Sequence, residues 1–252
     1  MLPDERRQFI LDRLKRDGRV IAKAISEELD LSEDTIRRDL RELADEGLLQ
    51  RVHGGALPAS PAIADFAKRE TILPQEKVAI GRAVAGMVQP GQVVMLDGGT
   101  TAVQAARHLP VDLQATVVTH SASIAVELVE HPTVDVILIG GRLYKHSIVS
   151  VGAAALEAIR QIYADVYFMG VTGVHAEAGL TTGDYEEAKI KLALSQQAAE
   201  TYVMASGEKL GAASTYLIAP LNAVTGLVVD RSVPDETLRL YQDMGLAIRQ
   251  AE

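Results

Sequence analysis

From Pro74 onward one pattern recurs along the chain: a short apolar run, a cluster of small or hydroxyl residues, then a stretch with helical spacing. The runs are Val93-Val94-Met95-Leu96, Ala115 to Thr119, Val134 to Ile139, Ala164 to Met169, Thr201 to Ala205 and Gly226 to Val229. Apolar runs too short for buried helices, alternating with helical text, predict an α/β domain with a largely parallel sheet covered on both faces. Its first helix is expected from Pro74 to Met87, with Val78, Ala79, Ile80, Val84 and Met87 as apolar content. Gly81 and Gly86 count against that helix, and Pro90-Gly91 breaks it before the first strand.

The text up to Leu57 has a different grammar. Ile10 and Leu14 centre a helix from Glu5 to Arg16 that stops at Gly18, and Ala24, Ile25, Leu29 and Leu31 mark a second that ends near Asp30. A third starts at Ser32 as N-cap, with Glu33 and Asp34 in its first turn, and runs along the stripe Ile36, Leu40 and Leu43 to Gly47. Leu48 to Ala56 reads as strand, glycine turn and return, a hairpin or wing. The prolines of Leu57-Pro58-Ala59-Ser60-Pro61-Ala62 disfavour regular structure and suit a linker. The expected domains are therefore 1–57 and 74–252, joined by 58–73.

Composition narrows the function. The absence of cysteine removes disulfides, thiolate metal sites and cysteine nucleophiles, and suits a cytoplasmic location. Charges or glycines interrupt every apolar run well short of the ~20 residues a membrane span needs, and the start from Met1 lacks a secretory apolar core, so a soluble protein with no membrane partner is expected. A net charge of -9 excludes a global field that attracts nucleic acid, and residues 1–57 hold 11 Lys and Arg against 13 Asp and Glu. DNA contact must then be local. The third helix offers it, because Arg38 and Arg41 lie roughly opposite the apolar stripe, with Thr35 and Arg37 beside them. The alternative is a solvated helix laced with Arg38–Glu42 and Arg41–Asp45 pairs. No metal site and no cofactor is expected.

In the α/β segment the strand ends carry the candidate binding chemistry. Asp97-Gly98-Gly99-Thr100-Thr101 offers backbone N–H groups, two hydroxyls and a helix N-terminus, which suit a phosphate without being a Walker motif. Thr119-His120-Ser121, in which Ser121 can cap the next helix, ends the second strand. Gly140-Gly141 ends the third and Gly170-Val171-Thr172-Gly173 the fourth. Lys191 on a helix and Lys209 in a loop can neutralise an anion. The alternative is that these glycines and threonines serve turns and caps, and that the lysines are solvated.

Ser32-Glu33-Asp34-Thr35-Ile36-Arg37-Arg38-Asp39-Leu40, Gly47 and Arg51-Val52-His53-Gly54-Gly55-Ala56 resemble the helix-turn-helix and wing of the DeoR family of transcription regulators. Asp97 to Thr101, Thr116 to Ser121, Gly140-Gly141, Gly179-Leu180-Thr181-Thr182, Glu187 with Lys191, and Lys209 resemble that family's effector domain. The resemblance thus spans close to the whole chain. It implies a winged helix-turn-helix that reads DNA through Thr35, Arg37, Arg38 and Arg41, with Ser32 at the helix cap and Arg51, His53 and Gly54 on the wing. Asp39 would orient an arginine. The larger domain would be similar in fold to ribose-5-phosphate isomerases, glucosamine-6-phosphate deaminases and coenzyme A transferases. Its ligand would be a phosphorylated sugar or related anionic metabolite held by Asp97, Gly98, Gly99, Thr100, Thr101, Thr119, His120, Ser121, Gly140, Gly141, Gly170, Gly173, Lys191 and Lys209. The chain departs from the family at His120, where asparagine is frequent, and at Ser206, where aspartate is frequent.

The rival reading is a sugar-phosphate isomerase or deaminase, whose chemistry needs a carboxylate base and often a histidine for ring opening. Asp97, Asp184, Glu186, Glu187 and His175 are the candidates, but the stretch before His175 lacks the aspartate of the deaminase loop. The expected function is a DNA-binding repressor that senses a phosphorylated metabolite and works as a homo-oligomer, dimer or tetramer.

Overall fold

Pro3 opens helix α1 (Pro3–Asp17) at a position where its missing N–H costs nothing, and Gly18 closes it in the left-handed conformation at φ 71°. The computed structural model describes residues 2–252, the side chain of Ile63 excepted. After α1 come β1 (Val20–Ile21), α2 (Ala22–Leu29), α3 (Glu33–Asp45) and the wing strands β2 (Leu49–Val52) and β3 (Gly55–Pro58). Strand β3 lies between β1 and β2, antiparallel to both. Gly55 is needed at that crossing, because a Cβ there would run into the carbonyl oxygen of Val20. Ile10, Leu14, Ile25, Ile36, Leu40, Leu43 and Leu49 fill a core separate from the rest of the molecule. Arg6 of α1 and Asp39 of α3 are both buried and paired, with Nη2 donating to Oδ1 at 2.8 Å. Asp39 therefore fixes α1 on α3.

Residues 58–73 are ordered, although the two prolines suggested irregular structure. Pro61 begins a 3-10 turn (Pro61–Ile63), and α4 (Phe66–Thr71) is capped by Asp65, whose Oδ1 accepts from Lys68 N at 2.9 Å. Tertiary hydrogen bonds supply what local propensity does not. Ser60 Oγ donates to the carbonyl of Thr172, Ala213 N to that of Pro58 at 3.2 Å, and Phe66 N to that of His146 at 3.2 Å.

The larger domain begins with α5 (Pro74–Met87), β4 (Val93–Leu96), α6 (Thr100–Arg107), β5 (Thr116–Thr119), α7 (Ala122–Leu128) and β6 (Asp135–Leu138). A short hairpin follows, β7 (Arg142–Tyr144) and β8 (Val149–Val151), then α8 (Ala153–Ile159), β9 (Ala164–Gly170), β10 (Gly173–His175) and β11 (Gly179–Thr182). The chain ends with α9 (Tyr185–Gln196), β12 (Ala198–Ala205), β13 (Tyr216–Ala219), β14 (Gly226–Val229), α10 (Asp235–Asp243) and β15 (Ala247–Gln250). Seven strands pair in parallel in the order β15-β14-β12-β9-β4-β5-β6.

Alternation sorts the strand side chains onto two faces. Val94, Leu96, Val166 and Phe168 pack with Ile80, Val84, Ala105 and Ile124 of α5, α6 and α7. Met95, Tyr167 and Met169 pack with Ile159, Ile190 and Tyr241 of α8, α9 and α10. Fully burying one such large side chain contributes about 1.5–3 kcal/mol, so both helical layers are firmly held. Gly81 has a positive reason to be in α5: a Cβ there would sit 2.6 Å from the Cβ of Gln104, so only glycine lets α5 and α6 approach this closely. The β7–β8 hairpin, the β10–β11–β13 sheet and the edge strand β15 go beyond the sequence expectation. Each is short, and β7 and β15 are too exposed to leave an apolar run.

Candidate functional site

On α3, Ser32 is the N-cap: its Oγ accepts from Thr35 N at 3.2 Å and meets Thr35 Oγ1 at 2.9 Å. Arg37 is tied back to Glu33 at 2.8 Å. Glu42, the alternative partner for Arg38, instead pairs with Arg7 of α1 at 3.1 Å. Arg38 and Arg41 are exposed and make no ion pair among the described residues, so their guanidinium groups are available to an external anion or base edge. Arg51, His53 and Gly54 lie exposed around the wing turn, where Gly54 takes φ 77°. The structure thus sets Thr35, Arg37, Arg38 and Arg41 on one helix and Arg51, His53 and Gly54 on the neighbouring hairpin.

In the larger domain the β4 end is built around Asp97, which is fully buried. Its Oδ1 accepts from Gly98 N and faces His120 Nε2, both at 2.8 Å. Its Oδ2 accepts from Gly170 N at 2.7 Å and Lys191 Nζ at 2.6 Å. Burial alone would push this carboxyl up, but Lys191 and His120 outweigh it and hold Asp97 well below the usual carboxylate range. With its lone pairs occupied, Asp97 braces the loop and is not free to act as a base. The loop it braces carries Gly98, Gly99 at φ 115°, and the first turn of α6 with Thr100 and Thr101.

That turn forms one wall of a pocket. Gly98, Gly99, Thr100, Thr101, Gly170, Lys191 and Lys209 all line it. Asp97 lies just below. Thr119, His120 and Ser121 are buried beside the β7–β8 hairpin and do not reach it. Ser121 stands at the N-cap of α7 without capping it, because its Oγ donates to the carbonyl of Ile148 at 3.4 Å. Gly140 and Gly141 are exposed in the turn after β6, and Gly173 is locked in β10 against the backbone of Ala212, so none of the three lines the pocket.

Two cations in the pocket were missed by sequence reasoning. Arg69 of α4 and Lys77 of α5 also line it. Lys77 had a legible signal, since it stands three and seven residues before Ile80 and Val84 and so lies on the buried stripe. Arg69 had none, being in a segment read as a linker. Burial pushes the Lys77 ammonium and the Arg69 guanidinium down, and Lys77 Nζ donates to the carbonyl of Arg69. Burial also brings Lys209 down to about 8, opposed by Glu208 and reinforced by the neighbouring cations. Arg69 Nε and Glu208 Oε2 are buried without a hydrogen-bond partner. Buried polar atoms are nearly always paired, so these two orphans leave bonding capacity unused beside the pocket.

The enzyme candidates are otherwise engaged. Asp184 caps α9 by accepting from Glu187 N at 2.9 Å, and Glu186 pairs with Arg142. His175 Nδ1 accepts from Glu177 N and Ala178 N at 3.1 and 3.2 Å, on a hairpin that does not line the pocket. Glu187 does line it.

The sequence matches the model of the DeoR-like helix-turn-helix domain over residues 6–61 and that of the DeoR C-terminal sensor domain over 73–231. The chain belongs to the DeoR family. The HTH-type transcriptional regulator GolR of Listeria innocua is 31% identical over 100% of both chains. The HTH-type transcriptional repressor GlcR of Bacillus subtilis is 33% identical over 92% of this chain and 90% of its own. The glycerol-3-phosphate regulon repressor of Escherichia coli is 28% identical over 96% of this chain and 97% of its own. This DeoR-family chain is a DNA-binding transcriptional regulator, and the isomerase or deaminase alternative finds no support among its relatives.

Proposed function

We propose that this regulator is a repressor whose α3 and wing bind operator DNA and whose larger domain takes a phosphorylated sugar or related anionic metabolite. One observation carries the effector reading: Arg69, Lys77, Lys191 and Lys209 outnumber Glu187 and Glu208 in the pocket that the N-terminus of α6 also lines, so net positive charge and a helix N-terminus meet at one cavity. A relative named as a glycerol-3-phosphate regulon repressor fits a phosphorylated ligand. Arg38 and Arg41, together with Arg51 and His53, are the groups proposed to meet bases and phosphates. Asp97, with Thr119, His120 and Ser121 behind it, supports the pocket from below.

Relief of repression needs two states with different affinity for the operator, and the proposed pair differs in how two winged helices of a homo-oligomer match their half-sites. Among the described residues no helix is long and apolar enough to cross a membrane, which fits a cytoplasmic regulator. The test is a salt-dependent titration on the DNA that flanks the protein's own gene, repeated with a panel of sugar phosphates. Specific binding that one phosphate weakens is expected. No specific binding at low salt, with turnover of a sugar phosphate instead, would overturn the proposal. Sedimentation showing only monomer, with and without DNA, would remove the oligomeric mechanism.

A further inference from the structure

His120 is completely buried, and both of its ring nitrogens face acceptors. Nε2 lies 2.8 Å from Asp97 Oδ1, and Nδ1 lies 3.0 Å from the carbonyl oxygen of Ser150 on β8. A carbonyl oxygen has no proton to give. Neither has a carboxylate held ionised by Lys191 and by the N–H groups of Gly98 and Gly170. Each nitrogen can therefore bond only as a donor, and a ring that donates from both nitrogens is an imidazolium.

We infer that His120 is a charged positioning residue that couples the affinity of the sensor pocket for its anionic effector to protonation of the imidazole. The inference rests on the reading of the pocket as an anion site. The titratable groups around His120 are Asp97 on β4, Lys191 and Glu187 on α9, and Tyr167 on β9, whose hydroxyl is pushed up by burial and by Asp97. Asp97, Glu187 and Lys191 leave one net negative charge beside the Gly98–Thr101 cradle, which the positive charge of the imidazolium cancels. Loss of the His120 proton leaves that negative charge uncancelled.

A second route runs through packing. His120 holds β8 twice, by its ring at Ser150 O and by its own carbonyl, which accepts from Ser150 N at 2.7 Å. The preceding residue of that strand, Val149, lies so close to Gly98 that any Cβ on the glycine would collide with it. A neutral ring with a lone pair on Nδ1 would face the Ser150 oxygen with nothing to donate, and the strand that backs the cradle would loosen. Both routes have the same sign: anion affinity falls as pH rises and His120 loses its proton, and bound anion in turn favours the protonated ring.

The experiment uses the full chain and inorganic sulfate as probe, because a phosphate monoester itself ionises near pH ~6 and would confuse the profile. Nitrogen-15 NMR of the His120 ring, assigned by its loss in His120→Asn, is expected to show both nitrogens protonated near neutral pH. One unprotonated nitrogen would overturn the inference. By calorimetry, sulfate affinity of the parent chain is expected to fall with rising pH by about fivefold more than in His120→Asn, which keeps only the Lys209 contribution. Parallel profiles in the two proteins would overturn the coupling while leaving the anion site intact. No sulfate binding by the parent at any pH would overturn the anion site and the coupling together. His120→Gln serves as the second variant should asparagine not fold.

Discussion

Replacing Asp97 by asparagine keeps the shape of the side chain and removes its charge. Each carboxylate oxygen accepts two donors, Gly98 N with His120 Nε2 on one side and Gly170 N with Lys191 Nζ on the other. An amide NH₂ must replace one of those oxygens and would meet N–H groups head-on. A buried donor left without an acceptor costs about 1–3 kcal/mol, and removing one partner of a buried ion pair costs about 3–5 kcal/mol. The two costs overlap, because Lys191 is both donor and ion partner, so the expected loss is about 3–5 kcal/mol out of the ~5–15 kcal/mol typical of a folded protein. Urea unfolding followed by far-ultraviolet circular dichroism should show the midpoint falling by about 1–2 M. The pH dependence has a definite sign. The folded-state value of Asp97 is depressed, so its contribution is fully present above the unfolded value of ~3.9 and is lost as pH falls toward the folded value. The gap between parent and Asp97→Asn should therefore persist near pH ~5 and close in stronger acid. A midpoint shift below about 0.3 M at unchanged slope would refute the view of Asp97 as the brace of the cradle.

Further outcomes follow from other positions. Arg38→Ala should weaken operator binding by about 1–3 kcal/mol in a fluorescence-anisotropy titration, and unchanged affinity would remove Arg38 as a base reader. Thr100→Asp puts a carboxylate at the helix N-terminus inside the pocket and should abolish the response of operator binding to sugar phosphate; an equal response would move the ligand elsewhere. Effector affinity should drop as pH rises past about 8, where Lys209 loses its charge, and an affinity flat to about pH 9 would count against its role. Gly55→Ala should force β3 away from β1, costing about 1–3 kcal/mol by thermal denaturation, and a variant as stable as the parent would contradict the contact with Val20.

The sheet was legible because its inner strands are buried on both faces and so leave apolar runs such as Val93 to Leu96 and Val166 to Met169. The winged helix was legible through Ser32 as a cap, the stripe Ile36, Leu40 and Leu43, and the glycine turn of the wing. What stayed hidden was set by tertiary contact. Gly81 reads as a helix weakness until α6 lies against it, and Ser121 reads as a cap until Ile148 offers its carbonyl. The pocket was half legible. The wall made by the strand ends follows from glycine and hydroxyl residues in sequence and Lys77 from the buried stripe of α5, whereas Arg69 lies on a short helix in which nothing local announces where a long side chain will point.

The hydrogen bonds that fasten residues 58–73 to the larger domain bear on operator geometry. A free tether transmits only a maximum separation between two winged helices, but a segment anchored at Pro58, Ser60 and Phe66 transmits angle as well. B-form DNA turns once in about 10–10.5 base pairs, so inserting a single base pair between half-sites swings one of them by roughly 35° around the helix axis. In the proposed homo-oligomer the operator is thereby constrained in phase, and half-sites moved apart by whole turns differ in kind from half-sites moved apart by half a turn.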